Sequence, residues 1–388
     1  MKILLAHNYY QQAGGEDIVF QSEKRLLESA GHEVRLAIMD NATIKKMSAI
    51  EIGIRSIWNK DGYNLIYQQI QQFQPDLVHF HNTFPLISPA GYDAAYDCGI
   101  PVVQTLHNFR LICLIATFVR DGKLCDLCVG KTPPYPGVYY RCYHDSFPAS
   151  ATVAAMLTIH RLRKTWQRRV DAFITLSEFS RQQFIKIGLQ ANKLFVKPNF
   201  AWIDHPLEKN YSDREYFLFI GRLSPEKGIS ILLDAVKDSE LPVKIVGSGP
   251  LENEVLQKIN SGGMKNCDFL GQVTHSQAID LIRGAIALVI PSIWYEGFPM
   301  IIAEAFSQGT PIIASDLGVM AEILRDEKCG LKFQPADTSS LINLLYYAWH
   351  HPEVMLKKGL NAENQYVRHY SSKSNYEQLI KVYKSVSF

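Results

Sequence analysis

Ala287-Leu288-Val289-Ile290-Pro291-Ser292-Ile293-Trp294-Tyr295-Glu296-Gly297-Phe298-Pro299-Met300-Ile301-Ile302-Ala303-Glu304-Ala305 runs from a short apolar block through a turn into a segment of helical period. The block Ala287–Ile290 is continuous and non-alternating, the pattern of a strand buried on both faces of a parallel sheet. Pro299 fits the first helical position, where a missing N–H costs nothing. The N–H groups of Gly297, Phe298, Met300 and Ile301 then point out of a helix N-terminus, and the aligned peptide dipoles make that end an anion site. Glu304 lies about one turn in, and helical side chains lean toward the N-terminus, so its carboxylate is placed to accept hydrogen bonds from a ribose diol. Glu296 stands before the helix, on the same side. Either glutamate alone reads as a solvated residue on a capped helix. Two of them, eight positions apart around Gly-Phe-Pro after a strand, favour a site.

The same strand–helix step recurs along the chain. In the first half the apolar runs are Lys2–Ala6, Val34–Ile38, Leu77–Phe80, Val102–Leu106, Ala172–Leu176 and Leu194–Val196. In the second half they are Tyr216–Ile220, Val243–Val246, Cys267–Leu270, Ala287–Ile290, Ile312–Ala314 and Leu331–Phe333. Between many of them lie segments of helical period, such as Val19–Ala30, Ile229–Val236, Leu251–Ile259 and Gln277–Arg283. Alternation of this kind means βαβ units and parallel sheets, and the fold class is α/β with two doubly wound domains. The expected division is 1–200 and 201–370, with a seam at Pro198–Asp213 and an amphipathic C-terminal helix, 371–388, packing back on the first domain. Open α/β sheets bind ligands at the C-terminal ends of their strands, which places the expected site in a cleft between the two domains.

The chain has 388 residues, enough for two or three domains at roughly 100–200 residues each. It carries 40 Lys+Arg against 38 Asp+Glu, for a net charge of +2, and 47% hydrophobic residues. That composition argues against a disordered chain and a strongly basic nucleic-acid binder. The longest apolar runs, Ala285–Ile290 and the small-residue stretch Ala149–Ile159, fall far short of the ~20 residues that span a bilayer. The N-terminal apolar core is too short for a secretory signal and reads as a first strand. The expected location is therefore the cytoplasm, peripheral on the inner face of the cell membrane, with the cysteines as thiols or metal ligands.

Two further loops follow strands in the second half. Gly221-Arg222-Leu223-Ser224-Pro225-Glu226-Lys227-Gly228 offers a guanidinium that can fork onto two phosphate oxygens and an ammonium at the start of the next helix. The alternative is a turn with solvated charges. Gly247-Ser248-Gly249 allows close backbone approach to a ligand, or is simply a structural turn. No Asp-x-Asp occurs in the chain. A catalytic Mg²⁺ or Mn²⁺ needs clustered carboxylates, so no catalytic cofactor is expected.

At these residues the sequence resembles the retaining GT-B glycosyltransferases of family 4, the glycosyl transferases group 1, of the bacterial exopolysaccharide kind. The Glu-x₇-Glu pattern is Glu296 to Glu304, and the Gly-Arg-Leu-x-x-Glu-Lys-Gly pattern starts at Gly221. The resemblance implies two Rossmann-like domains, an acceptor domain first and a nucleotide-sugar domain second. It also implies metal-independent transfer of a hexose with retention. In such enzymes Arg222 and Lys227 would contact the diphosphate and Glu304 the ribose. Glu296 with Gly297, Phe298, Pro299 and Met300 would lie against the donor sugar. Gly247 and Gly249 match the family's Gly-x-Gly loop, and a base-reading backbone segment would fall at Gly271-Gln272-Val273. Ala13-Gly14-Gly15-Glu16 matches its Gly-Gly loop, with Gly14 near the sugar and Gly15 in an amide nest for the β-phosphate. His107, at a strand end, matches its catalytic histidine; a structural histidine is the other reading. UDP-glucose is the first choice of donor, on family frequency. A GT-B UDP-sugar epimerase would lack this form of Glu-x₇-Glu. A dinucleotide dehydrogenase would need Gly-x-Gly-x-x-Gly after the first strand, where this chain has His7-Asn8-Tyr9-Tyr10. A non-catalytic nucleotide-sugar binder would have no need of Glu296 and His107.

The chain departs from simple members of that family at Cys113–Cys142. Cys125 and Cys128 form a C-x₂-C flanked by Cys113 and Cys142, which fits a structural tetrahedral Zn²⁺ site, or else four thiols in an acceptor loop. The basic, Trp-bearing run Arg161–Arg169 follows. It reads either as a solvated helix face or as a weak membrane-surface contact that meets a lipid-linked glycan acceptor.

Overall fold

A computed structural model of the chain describes residues 1–11, 14–203 and 214–387. Ala13 and residues 204–213 of the expected seam lie outside the described residues. The chain divides into two units, 1–118 with 125–198 and 375–388, and 199–374 with 119–124. The boundaries thus fall at 198/199 and 374/375.

The first unit holds a six-stranded sheet of order β2-β1-β3-β4-β7-β8. Its strands are β1 Lys2–Tyr9, β2 Glu33–Asp40, β3 Leu77–Asn82, β4 Val102–Leu106, β7 Ala172–Thr175 and β8 Leu194–Val196; a two-stranded hairpin, β5 Val119–Arg120 and β6 Lys123–Leu124, lies between β4 and β7 in sequence. All sheet pairings are parallel. Strand order reverses between β1 and β3, and at such a point the loops on either side part and leave a crevice. Ile3, Leu5, Leu77, Val103 and Ile174 form the core with Phe20 and Leu27 of the helix Gly15–Ser29. Leu379, Val382 and Tyr383 of the C-terminal helix Ser372–Val386 complete that core.

Two strands run longer than their apolar runs predict. β1 continues through His7 and Asn8, both wholly buried, and β3 through His81 and Asn82. Buried polar groups persist only when hydrogen-bonded, and here the partners come from distant sequence. Asn8 Oδ1 accepts the N–H groups of Leu86 and Ile87 at 2.9 and 3.2 Å, and its Nδ2 donates to Asn41 Oδ1 at 2.6 Å.

The second unit repeats the plan with order β11-β10-β9-β12-β13-β14. The strands are β9 Tyr216–Ile220, β10 Val243–Val246, β11 Cys267–Gly271, β12 Ala285–Ile290, β13 Ile312–Ser315 and β14 Gly330–Phe333. All pairings are again parallel. The order reverses between β9 and β12, so the loops of the two strongest sequence signals emerge side by side. The helix His275–Arg283 starts with a reciprocal cap between Thr274 and Gln277. No helix of the described residues is long and apolar enough to cross a membrane.

Candidate functional site

In the second unit, four loops at the C-terminal ends of β9, β10, β11 and β12 are joined by backbone hydrogen bonds. Gly221 N–H donates to the Val246 carbonyl at 3.1 Å and Leu223 N–H to Ser248 at 2.9 Å. Gly247 N–H donates to Gly271 at 2.8 Å, and Gln272 Nε2 to Ser248 Oγ at 2.7 Å. Ile293 N–H donates to the Glu226 carbonyl at 3.0 Å, which ties the β12 loop to the β9 loop. The Gly-x-Gly pattern predicts close approach of Gly247 and Gly249 to a ligand. The structure shows a nearer partner, because a Cβ on Gly247 would run into the Gly221 carbonyl oxygen and one on Gly249 into Leu223 backbone. Gly228 lies at φ +72°, and a Cβ there would strike the Pro291 carbonyl oxygen. These glycines close the loops onto one another, and the rigid rim that results carries Arg222, Lys227, Val273 and Glu296.

Lys227 Nζ lies 2.7 Å from Glu296 Oε1 and 5.3 Å from the centre of the Trp294 ring. Ser292 Oγ donates to the same Glu296 oxygen at 2.8 Å. Glu296 is 7% exposed, so the pair is sheltered and its attraction little screened. Arg222 is exposed on the β9 loop, and Val273 is half-buried in the turn after β11. Glu304 lies in the helix Met300–Ser307, with its Oε1 3.2 Å from His275 Nε2. Sequence reasoning missed His275; its only signal is that it begins the helix after the base-reading turn. One expectation changes. Pro299 is the N-cap, with extended ψ of 126°, and Met300 opens the helix. A proline cannot donate, so the N–H groups that precede any intrahelical acceptor are those of Met300 and Ile301. Phe298 is 5% exposed and its carbonyl accepts from Asn199 Nδ2 at 2.9 Å, which fixes the Gly297–Pro299 turn.

In the first unit the sites gather at the ends of β1, β3 and β4. Gly14 caps the helix Gly15–Ser29, and its N–H donates to Asp17 Oδ2 at 2.9 Å. That N–H is therefore engaged in the helix cap, and Gly15 keeps a first-turn N–H. A Cβ on either glycine would meet nothing within 4 Å, so no packing demand explains them. Asp17 Oδ1 also lies 2.6 Å from His7 Nε2. Burial pushes His7 down to about 4 even so, and the contact is a neutral N–H donated to a carboxylate. Glu16, raised by burial, accepts from Tyr10 Oη at 2.8 Å and Asn108 Nδ2 at 2.6 Å.

His107 follows β4 directly and is 8% exposed. Its Nε2 is 3.0 Å from His81 Nδ1, and the two rings stack at 5.2 Å. Burial holds His107 well below the usual histidine value, so it is neutral at pH 7. His81 Nε2 lies 3.3 Å from Glu23 Oε2, and Glu23 Oε1 lies 2.6 Å from Lys197 Nζ. His79 is bonded through both nitrogens, to Tyr383 Oη and Thr105 Oγ1, each at 2.8 Å.

Among the described residues, Glu23, His79 and His81 are the group whose ligand atoms gather closely enough to hold a metal ion. The hydrogen bonds just given engage both His79 nitrogens and one Glu23 oxygen. The Lys197 ammonium already supplies the positive charge there. The four cysteines are thiols in this structure. Cys113, Cys125, Cys128 and Cys142 form no disulfide, and among the described residues no three of their sulfurs converge as a ligand set. The Cys128 Sγ lies 3.8 Å from the Pro134 carbonyl, and burial pushes its thiol up to about 11. The basic run also splits. Arg161 donates to the carbonyls of Lys131 and Leu111, and Trp166 is 3% exposed. Both serve the interior, and Leu162, Arg163, Lys164 and Arg168 remain exposed.

Comparison with known proteins agrees with this geometry. The family model for glycosyl transferases group 1 matches residues 201–365, and that for glycosyltransferase family 4 matches residues 13–201. A D-rhamnosyltransferase, WbpZ, of Pseudomonas aeruginosa is 32% identical over 174 residues, 44% of this chain and 45% of that protein. A phosphatidyl-myo-inositol mannosyltransferase of Mycobacterium leprae is 28% identical over 257 residues, 63% of this chain and 66% of that one. The chain thus spans less than half of the first relative and just under two thirds of the second. The crystal structure of Anabaena Alr3699/HepE in complex with UDP superimposes with a TM-score of 0.69 at 18% identity, over 99% of this chain and all of that one. At that identity the likeness shows the fold alone.

Proposed function

The chain belongs to the glycosyltransferases, as a member of the group 1 and family 4 kind, and from that premise we propose that it moves a hexose from a UDP-sugar, glucose in the first instance, to a growing glycan. The observation that carries this reading is the β9–β12 rim of the second unit. Arg222, Lys227 and the first-turn amides of Met300 and Ile301 supply the positive potential a diphosphate needs, with no metal required. Glu304 accepts from the ribose hydroxyls, with His275 beside it. The turn at Gly271–Val273 reads the base through its backbone. Glu296, Gly297 and Phe298 border the sugar. Gly15 and His107 of the first unit take the roles that the family resemblance implies for them.

Retention of configuration follows from departure and attack on one face of the sugar. The leaving phosphate then accepts the acceptor's proton, and the protein positions the sugar and stabilises charge during departure. The UDP bound in the Anabaena structure supports a uridine donor. A lipid-linked acceptor at the inner membrane face is supported by the exposed Leu162, Arg163, Lys164 and Arg168 and by the phosphatidyl-inositol substrate in the mannosyltransferase's name.

A thermal-shift screen over nucleotides and nucleotide sugars tests the donor. Ligands that bind only the folded state raise the melting temperature as ln(1 + [L]/Kd). UDP and a UDP-hexose are expected to stabilise the chain in the presence of EDTA. A shift with no nucleotide, or one that needs a divalent cation, contradicts the reading.

A further inference from the structure

The Glu23–His81–His107 contacts form a line of buried polar groups that the reaction as described does not use. We propose that Glu23 and His81 are positioning residues that hold His107 as its Nε2–H tautomer, so that the Nδ1 lone pair is what the substrate meets. The inference rests on the reading of His107 as a substrate-side group.

The Lys197–Glu23 pair is already neutral, so a cationic His81, 2% exposed, would be an uncompensated buried charge; with His81 neutral the proton count leaves one arrangement. Lys197 Nζ sits 2.6 Å from Glu23 Oε1, and both residues are wholly buried. An ammonium at that distance keeps the glutamate ionised, because an unpaired buried cation is far costlier than the pair. An ionised carboxylate only accepts. Glu23 Oε2 and His81 Nε2 are 3.3 Å apart, and neither has a hydrogen-bond partner among the described residues. Their alignment is imperfect, yet a proton on Nε2 is the one state in which they attract. A neutral imidazole holds one N–H, so His81 Nδ1 is bare. It faces His107 Nε2 at 3.0 Å, and two bare nitrogens at that distance repel. His107 therefore carries its proton on Nε2. The second nitrogen's role is set by the bond the first one makes, which leaves His107 Nδ1 an acceptor only. A hydroxyl of the sugar or of the acceptor fits that lone pair; an oxyanion does not.

The neighbourhood keeps the line in place. His81 packs against Phe20 at 5.3 Å and His79 at 4.4 Å between ring centres. His79 is pinned by Tyr383 and Thr105, and Lys197 is held a second time by Asn375 Oδ1 at 3.2 Å. Two of these anchors, Asn375 and Tyr383, come from the C-terminal helix.

Two measurements on the full chain test the proposal. In ¹⁵N-labelled wild type, the ring nitrogens of His107 should report a single Nε2–H tautomer, with a slowly exchanging ring proton that disappears in His81→Phe. Steady-state kinetics should show kcat down by about 10- to 100-fold in His81→Phe, the usual cost of losing an orienting partner. Calorimetry should give the same UDP affinity as wild type. His81→Asn, which returns an acceptor oxygen near the Nδ1 position, should recover most of kcat. A proton on His107 Nδ1, a ring proton unaffected by His81→Phe, wild-type kcat in that variant, or equal losses in Phe and Asn would each overturn the proposal. If the wild type bound no nucleotide sugar, the donor reading would fail by itself and the ring nitrogens would still decide this inference.

Discussion

Replacing Lys197 by Met is expected to lower stability by about 3–5 kcal/mol, the cost of leaving one member of a buried ion pair behind. Lys197 and Glu23 are both at 0% exposure, and Glu23 also faces His79 and His81. Burial alone would raise the Glu23 carboxyl. The Lys197 ammonium outweighs it and holds the group well below the usual range. A depressed carboxyl contributes stability that is present above its unfolded value and lost as pH falls through its folded value. In Lys197→Met the balance reverses: Glu23 rises and takes a proton. The deficit against wild type should therefore be largest near pH 7 and shrink toward pH 4. Removing both charges in Lys197→Met/Glu23→Leu should restore much of the loss, because apolar replacement of a whole buried pair is often neutral. Urea midpoints at the two pH values check this. A single variant as stable as wild type at pH 7 would show that the pair carries no such role.

Glu296→Gln is expected to lower kcat by about 100-fold or more, the range seen when one preorganised electrostatic partner of a transition state is removed. The substitution is nearly isosteric and keeps an oxygen for Ser292 and Lys227, so the loop should hold its shape. What it removes is the charge beside the donor sugar and the counter-charge that orients Lys227. Glu304→Gln should behave differently. A ribose contact is equal in substrate and transition state, and its loss raises KM while kcat changes little. UDP affinity should stay within about twofold for Glu296→Gln and drop for Glu304→Gln. Wild-type kcat in Glu296→Gln, or a covalent glycosyl adduct on Glu296 or His107, would remove the assigned roles.

The strand–helix alternation and the second-unit loops were legible because each signal is local. An apolar run, a turn and a helix start lie within a dozen or so residues, as in Ala287–Ala305. What stayed hidden depends on contacts between distant residues. His81 reads as the end of an apolar run until β3 brings it to 3.0 Å from His107 and 3.3 Å from Glu23. Asn8 looks like the end of a strand until the Leu86 and Ile87 amides come to it. That Gly247 and Gly249 pack against another loop of the same unit stayed hidden for a related reason, since no local pattern reveals that neighbour.

The central claim is that the β9–β12 rim of the second unit holds the donor's diphosphate without metal. Calorimetric titration of UDP in EDTA, into wild type and Arg222→Ala, tests it most directly. Wild type should bind, and Arg222→Ala should bind more weakly by about 10-fold or more, from the loss of at least one charged hydrogen bond worth roughly 1.5–3 kcal/mol. Equal affinity in the two proteins, or UDP binding only when a divalent cation is restored, would contradict it.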